Sequence, residues 1–281
     1  MKDLSKVKIG ITHAGKFHSD DVLSAVLLKE LNPLIEFERK DDYLADDSKE
    51  EEIAFDVGLG EFDHHEESRE LDPFGQPYSA FGKLWRVYGR ECLVKHGFKN
   101  IEKAFNKFNY DYVSKIDLGD NEGYKMVKPF FYENEMIVRF NPSWYEKKAD
   151  QDPSNRQFLK AVEFAKMIFE NWLRKVYEIV ELGTLEKGIW EEALDKEKDG
   201  IVILQERIPW QYFVKKNNAE TVKFIVSKSD RGGYNVSSVD SSLYRVKDSG
   251  HFRFVHPSGF LGVADSLEEA IQGAKCSLGM A

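Results

Sequence analysis

The chain has 281 residues, 42% of them hydrophobic and 13% aromatic, enough apolar material for one large core or two smaller ones. Charged residues make up 32%, with a net charge of −9, and no stretch approaches the ~18 apolar residues of a membrane helix, which excludes a helical membrane protein. Met1-Lys2-Asp3-Leu4-Ser5-Lys6 carries no apolar signal core. The two cysteines, Cys92 and Cys276, suit neither a disulfide framework nor a thiolate zinc site, so a cytoplasmic, reducing location is expected. Charge is uneven along the chain. Residues 201–281 hold 10 Lys+Arg against 8 Asp+Glu, leaving 30 against 41 for residues 1–200. Cations are therefore expected toward the N-terminal part and an anionic ligand toward the C-terminal part.

Val7 to Thr12 alternates and is β-branched, which predicts a strand. After the loop His13 to His18, Ser19 is a good N-cap, with Asp20 and Asp21 in the first turn of a helix whose apolar face runs from Val22 to Leu28. Ile35–Arg39 and Ile53–Val57 read as further strands. Strand, helix, strand, strand predicts a mainly parallel sheet with helices on its faces. Helices are predicted over 79–87 and 105–116, and a long amphipathic one over 155–177, with Asp152-Pro153-Ser154 as its start signal. Beyond Gly200 come short strands at 201–204, 222–226, 234–239, 252–255 and 260–263, then a helix over 267–276. Trp144, Trp172, Trp190 and Trp210 read as packing residues. The expected fold is α/β: an N-terminal domain over 1–150, a helical connector over 151–195, and a smaller mixed α+β domain over 196–281.

The first loop fits G-x-x-x-x-G-K at Gly10 to Lys16, but Phe17 stands where a phosphate-binding P-loop needs Ser or Thr for Mg²⁺. The same loop reads better as half of a metal site. His13 closes a strand, His18 follows five residues on, and Asp20 opens the next helix; imidazole with carboxylate suits Mn²⁺, Fe²⁺, Co²⁺ or Zn²⁺. Asp56 ends an apolar strand and Asp63-His64-His65 follows closely, so four of the seven histidines fall near strand ends beside acids. An interior carboxylate there calls for a cation or hydrogen bonds. Asp117 and Asp120 add carboxylates toward the end of a helix, where the dipole disfavours them.

Taken in order, Thr12 to Asp21, Phe55-Asp56-Val57-Gly58, Asp63-His64-His65-Glu66, Ile116 to Asn121, and His256-Pro257-Ser258-Gly259-Phe260-Leu261-Gly262 resemble the motifs of the DHH phosphoesterase superfamily, in particular its Myg family. The resemblance implies a two-metal site, with Mn²⁺ the expected ion and Mg²⁺, Co²⁺ or Zn²⁺ as alternatives. One ion would take His13, His18 and Asp56. The other would take Asp20, Asp56, His64 and Asp117, with Asp120 the alternative to Asp117. It further implies a 3′–5′ exonuclease acting on RNA.

Two cations in such a site activate water for attack at phosphorus, and His65 is free to donate to a phosphoryl oxygen or to orient the ligand carboxylates. Asp56 and His65 are the expected catalytic residues. Arg231, Gly233, His256, Ser258 and Gly259 are expected to grip a single-stranded RNA or oligonucleotide substrate, although Gly232-Gly233 also reads as a hairpin turn. A small-molecule phosphohydrolase is the alternative; a metal-stabilised binding protein fits least, since the ligand set leaves positions open.

Overall fold

β1 (Ile9–His13) pairs in parallel with β2 (Glu36–Lys40) on one side and β3 (Glu52–Ala54) on the other, giving a sheet of order β2-β1-β3. The computed structural model describes residues 2–65, 69–123, 125, 127, 131–149, 153–216 and 220–280. The chain divides into two units, Met1–Glu181 and Leu182–Ala281. Because all three strands of the first sheet run the same way, their carboxyl ends share one edge, and His13 and Asp56 follow onto it.

α1 (Ser19–Leu31) lies between α2 (Ala80–Lys95) and α7 (Pro153–Tyr177). Its residues from Ser19 to Leu28 are all buried, which explains a helix that is apolar nearly all round rather than on one stripe. Ser19 is its first helical residue, so the N-cap is His18, one residue before the predicted cap. The predicted 105–116 helix is instead α3 (Ile101–Phe108), a π-helical turn at Asn109–Val113, and α4 (Ser114–Glu122). Such turns recur at functional sites. α5 (Phe131–Val138) and α6 (Glu146–Ala149) complete the unit. Trp85 stacks on Phe108 with ring centroids 4.2 Å apart and meets Phe169 edge-on, fixing α2, α3 and α7 around one aromatic cluster.

In the second unit α8 (Gly183–Asp195) packs on β4 (Ile201–Leu204). The sheet continues through β5 (Phe224–Lys228), β6 (Tyr234–Ser238), β7 (Phe254–Val255) and β8 (Leu261–Ala264) in the order β4-β5-β6-β8-β7. Only β4 and β5 are parallel, so this sheet is mixed. α9 (Trp210–Lys216) packs beside α8, and α10 (Leu267–Leu278) covers the opposite face. The α/β class with a mixed second sheet is as the sequence predicts. Gly232 and Gly233, at φ +81° and +74°, form the turn between β5 and β6. Trp172 and Trp190 are buried, whereas Trp144 is 71% exposed on a polar stretch before α6 and is not a core residue. The start signal at Asp152 lies outside the described residues.

Glu30, near the end of α1, ties the three central helices. Its carboxylate meets His96 Nε2 at 2.9 Å and Lys166 Nζ at 3.3 Å, while its carbonyl accepts from Lys95. The His96 hydrogen bond, helped by Lys166 and opposed by burial, holds its carboxyl below the usual range. A depressed folded-state pKa gives stability that is full above the unfolded carboxylate pKa and is lost as pH falls through the folded one. Glu30→Gln should therefore destabilise the protein by ~1–2 kcal/mol at pH 7 in urea unfolding, with the difference from wild type closing below about pH 4.

Candidate metal centre

The carboxyl edge of β1 and β3 gathers the first groups. His13 Nδ1 donates to the Ala14 carbonyl at 2.7 Å, which can only accept, so Nε2 is left to face the site. It lies 3.1 Å from Asp21 Oδ2 and 3.2 Å from Asp56 Oδ2. Burial disfavours charging this ring, but the two carboxylates outweigh it and push the pKa up to about 11. A proton thus sits where the carboxylates would hold a cation, and cation binding would release it. Asp56 follows β3 at φ +55°, a left-handed conformation that few non-glycine residues adopt and that accumulates at functional sites. This turn directs its two oxygens apart, Oδ2 toward His13 and Oδ1 to 3.1 Å from His64 Nε2.

His64 also approaches Asp120 Oδ2 at 3.3 Å and Asp20 Oδ2 at 3.8 Å. The candidate ligand atoms fall into three sets, His13–Asp21–Asp56, His18–Asp20–Asp120 and Asp56–His64–His65, each within 4.8 Å, the first and last sharing Asp56. Asp20 and Asp21 are fully buried; neither oxygen of Asp20 accepts a hydrogen bond, while Oδ2 of Asp21 and Oδ1 of Asp56 face the imidazole nitrogens of His13 and His64. Burial, reinforced by the neighbouring acids, raises the pKa of Asp20 far above the carboxylate range. Asp120 is also raised, chiefly by burial. Paired imidazoles and orphaned carboxylate oxygens aimed at common points fit divalent transition-metal ions; Ca²⁺ would want oxygen alone.

Asp117, the expected ligand, points elsewhere. Its Oδ1 accepts from Ser79 N at 2.9 Å and Ser79 Oγ at 2.6 Å, tying α4 to the start of α2. A Cβ on Gly82 would fall 2.3 Å from that oxygen, so glycine is required there for the close approach. Asp120, one helical turn on, occupies the position the sequence left open between the two. Asp21 joins the cluster unanticipated: first-turn acids are common, and its spacing from Asp20 gave no hint that both face inward. Asp63 binds no common point. It accepts from the Leu59, His64 and His65 N–H groups and from His65 Nδ1 at 2.7 Å, and the buried Lys83 donates to its carbonyl. Asp63 in turn raises the His65 pKa and aims its Nε2 outward. His65, Lys16 and Arg69 line the mouth of a cavity of about 520 Å³ over His13, His18, Asp56, His64 and Asp120. Glu66 lies outside the described residues.

The expected grip residues all belong to the second unit. His256 Nδ1 accepts from the Ser258 N–H at 3.2 Å, with Ser258 Oγ at 2.8 Å, which puts the ring proton on Nε2. Gly259, at φ +72°, closes that turn with its N–H on the His256 carbonyl. The His256 ring lies 4.4 Å from the half-exposed Phe260. Arg231 lines a cavity of about 530 Å³ with Arg207, Arg253, Asn235 and Phe254. Gly233 is held by packing: a Cβ there would meet the Ala264 carbonyl oxygen at 2.2 Å. Arg207, paired with Asp230, lacked any sequence signal because a lone arginine on a loop is ordinary.

Residues 8–249 match the MYG1_exonuc family model, described as "Uncharacterised protein family (UPF0160)". The MYG1 protein YER156C of Saccharomyces cerevisiae is 25% identical, over 95% of this chain and 94% of its own length. The MYG1 protein C694.04c of Schizosaccharomyces pombe is 27% identical, with 97% of each chain covered. The MYG1 exonuclease of Homo sapiens is 24% identical over 99% of this chain and 87% of its own length. No solved structure matches the chain. With most of its length under the family model, this chain belongs to the MYG1 family (UPF0160).

Proposed function

We propose that this protein is a DHH-type phosphodiesterase of the cytoplasm, dependent on Mn²⁺, that removes nucleotides from the 3′ end of single-stranded RNA or short oligonucleotides. One observation carries the reading: buried carboxylate oxygens without hydrogen bonds, alternating with imidazole nitrogens, at the carboxyl edge of a parallel sheet. The exonuclease names of the mammalian relatives support a nucleic-acid substrate.

His13, Asp21 and Asp56 would hold one cation, and His18, Asp20, Asp120 and His64 a second, with the diverging oxygens of Asp56 serving both. Bound there, divalent cations lower the pKa of an attacking water and offset charge building on the phosphoryl oxygens. His65, fixed through Nδ1 by Asp63 and made easier to protonate by it, donates from Nε2 to a phosphoryl oxygen. Lys16 and Arg69 at the cavity mouth attract the flanking phosphates. In the second unit, His256 Nε2–H offers a donor beside the Phe260 ring, and Arg231 a cation. A donor beside an aromatic face suits one nucleotide of a single strand, and a guanidinium suits a phosphate.

Cleavage of end-labelled RNA, matching DNA, pyrophosphate and a chromogenic phosphodiester tests this directly. RNA shortened stepwise from the 3′ end, with activity abolished by chelator and restored by Mn²⁺, is expected. Pyrophosphate hydrolysis without oligonucleotide cleavage would move the protein to the small-molecule class. Asp56→Ala should lower kcat by ~10³-fold or more, because both cations lose a ligand. Asp120→Asn should weaken Mn²⁺ binding in calorimetry by ~10-fold or more while leaving the melting temperature level or higher. Asp117→Ala should instead cost ~1–3 kcal/mol of stability, by stripping Ser79 of its acceptor. His256→Ala with Ser258→Ala should slow oligonucleotide cleavage through KM, and cleavage of the small phosphodiester much less.

A further inference from the structure

His18, like His65, has an exposed side chain, and its ring lies 5.8 Å from the His13 ring between centroids. With its side chain exposed, its place depends on its own backbone, whose N–H is held by Asp21 Oδ1 at 3.0 Å, and on the residues on either side. Both sides are fixed by residues more than a hundred positions away. Asn141 grips Phe17 twice: its Oδ1 accepts from the Phe17 N–H at 2.9 Å, and its Nδ2 donates to the Phe17 carbonyl at 2.8 Å. This is the hydrogen-bond pattern of a strand partner, supplied by one side chain. The same Nδ2 donates to the Val138 carbonyl at 3.0 Å, which ties it to the end of α5. Phe17 cannot shift sideways, because its ring is fully buried edge-on against Phe158. On the other flank, Ser19 Oγ donates to Asn134 Oδ1 at 2.6 Å inside the protein, both residues buried.

We propose that Asn134 and Asn141 are positioning residues of the metal centre, holding the Phe17–Ser19 backbone so that His18 faces Asp20 and Asp120. Neither asparagine belongs to the ligand sets. The inference rests on the metal-centre reading above and adds a local consequence. His13 and Asp56 are placed by strand ends, so losing the clamp loosens the His18–Asp20–Asp120 set and reaches His13–Asp21–Asp56 only through the His18 N–H bond to Asp21 Oδ1. Groups that orient a ligand without touching the ion commonly change its affinity 10–100-fold.

Calorimetric titration of the full-length protein with Mn²⁺, paired with thermal melts before metal is added, provides the test. Wild type should bind two ions. Asn141→Ala should weaken one of the two steps by ~10–100-fold and the other far less. Asn134→Ala and Ser19→Ala should each weaken the same step, and the Ser19→Ala/Asn134→Ala double variant no further, since both act through one hydrogen bond. If Asn141→Ala does not fold, Ser19→Ala, which deletes a single oxygen, carries the test. Unchanged titrations, or both steps weakened together with a matching fall in melting temperature, would overturn the clamp. Wild type binding no Mn²⁺ would overturn the metal centre itself, and the clamp with it.

Discussion

Buried carboxylates crowded at one sheet edge, several of their oxygens accepting no hydrogen bond, are the feature around which the first unit is organised. An uncompensated buried charge costs several kcal/mol, and like charges within a few ångströms add to that. Where no cation compensates, protons must: Asp20, Asp21 and Asp120 are pushed upward by burial, and His13 is held protonated between Asp21 and Asp56. Such an edge persists only because the surrounding structure over-determines it. α1, which carries Asp20 and Asp21, is buried along its first ten residues between α2 and α7. The Trp85–Phe108–Phe169 cluster locks the helices behind it. The left-handed turn at Asp56 is a smaller strain held by the same frame.

Around this edge runs a layer of groups that orient without joining the cluster. Asp21 belongs to both layers: Oδ2 faces His13, while Oδ1 accepts from the His18 N–H at 3.0 Å. Asp63 and Lys83 brace the loop carrying His64 and His65, and Asp117 with Ser79 locks α4 onto α2 so that Asp120 faces His64. Lys83 apart, each uses a short polar side chain bound to backbone, which holds position at little cost in side-chain entropy. Gly82 belongs here too, because its missing side chain admits Asp117.

Much of this was legible in the sequence. The period-2 runs locate the strands of both sheets to within a few residues, and the 3.6-period run locates α7 to within two. The imidazoles and acids at strand ends mark the cluster, because nothing in an apolar strand explains them. What was hidden has a common cause: it depends on helix phase. Asp117 and Asp120 are three residues apart on one helix, and the π turn before α4 shifts the phase by an amount no periodicity reveals. Asp21 looks like an ordinary first-turn acid until α1 proves buried all round. α8 falls inside the 151–195 stretch expected to be helical, but its start was not legible because Gly183 and Gly188 interrupt the pattern. Trp144 shows the converse error, a large aromatic read as core where the neighbouring residues are polar.

The charge distribution orders the steps that the proposed chemistry allows. Met1–Glu181 carries 27 Lys+Arg against 35 Asp+Glu, and its densest acid lies at the floor of the cavity; Leu182–Ala281 is near balance, with 13 against 14. A phosphodiester entering that cavity would meet carboxylates, and repulsion between like charges at such range exceeds what Lys16 and Arg69 at its exposed mouth can offset. Substrate binding is therefore conditional on the acids being compensated. Protons compensate them only partly and offer a phosphate no ligand positions, whereas divalent cations reverse the sign of the floor. The guanidinium and imidazole donors of the second unit face no such conflict, because no comparable acid cluster surrounds them among the described residues. On the proposed reading they would hold a strand whether or not cations are bound, so grip on the chain and competence at the scissile phosphate would be separable, and only the second should vanish with chelation.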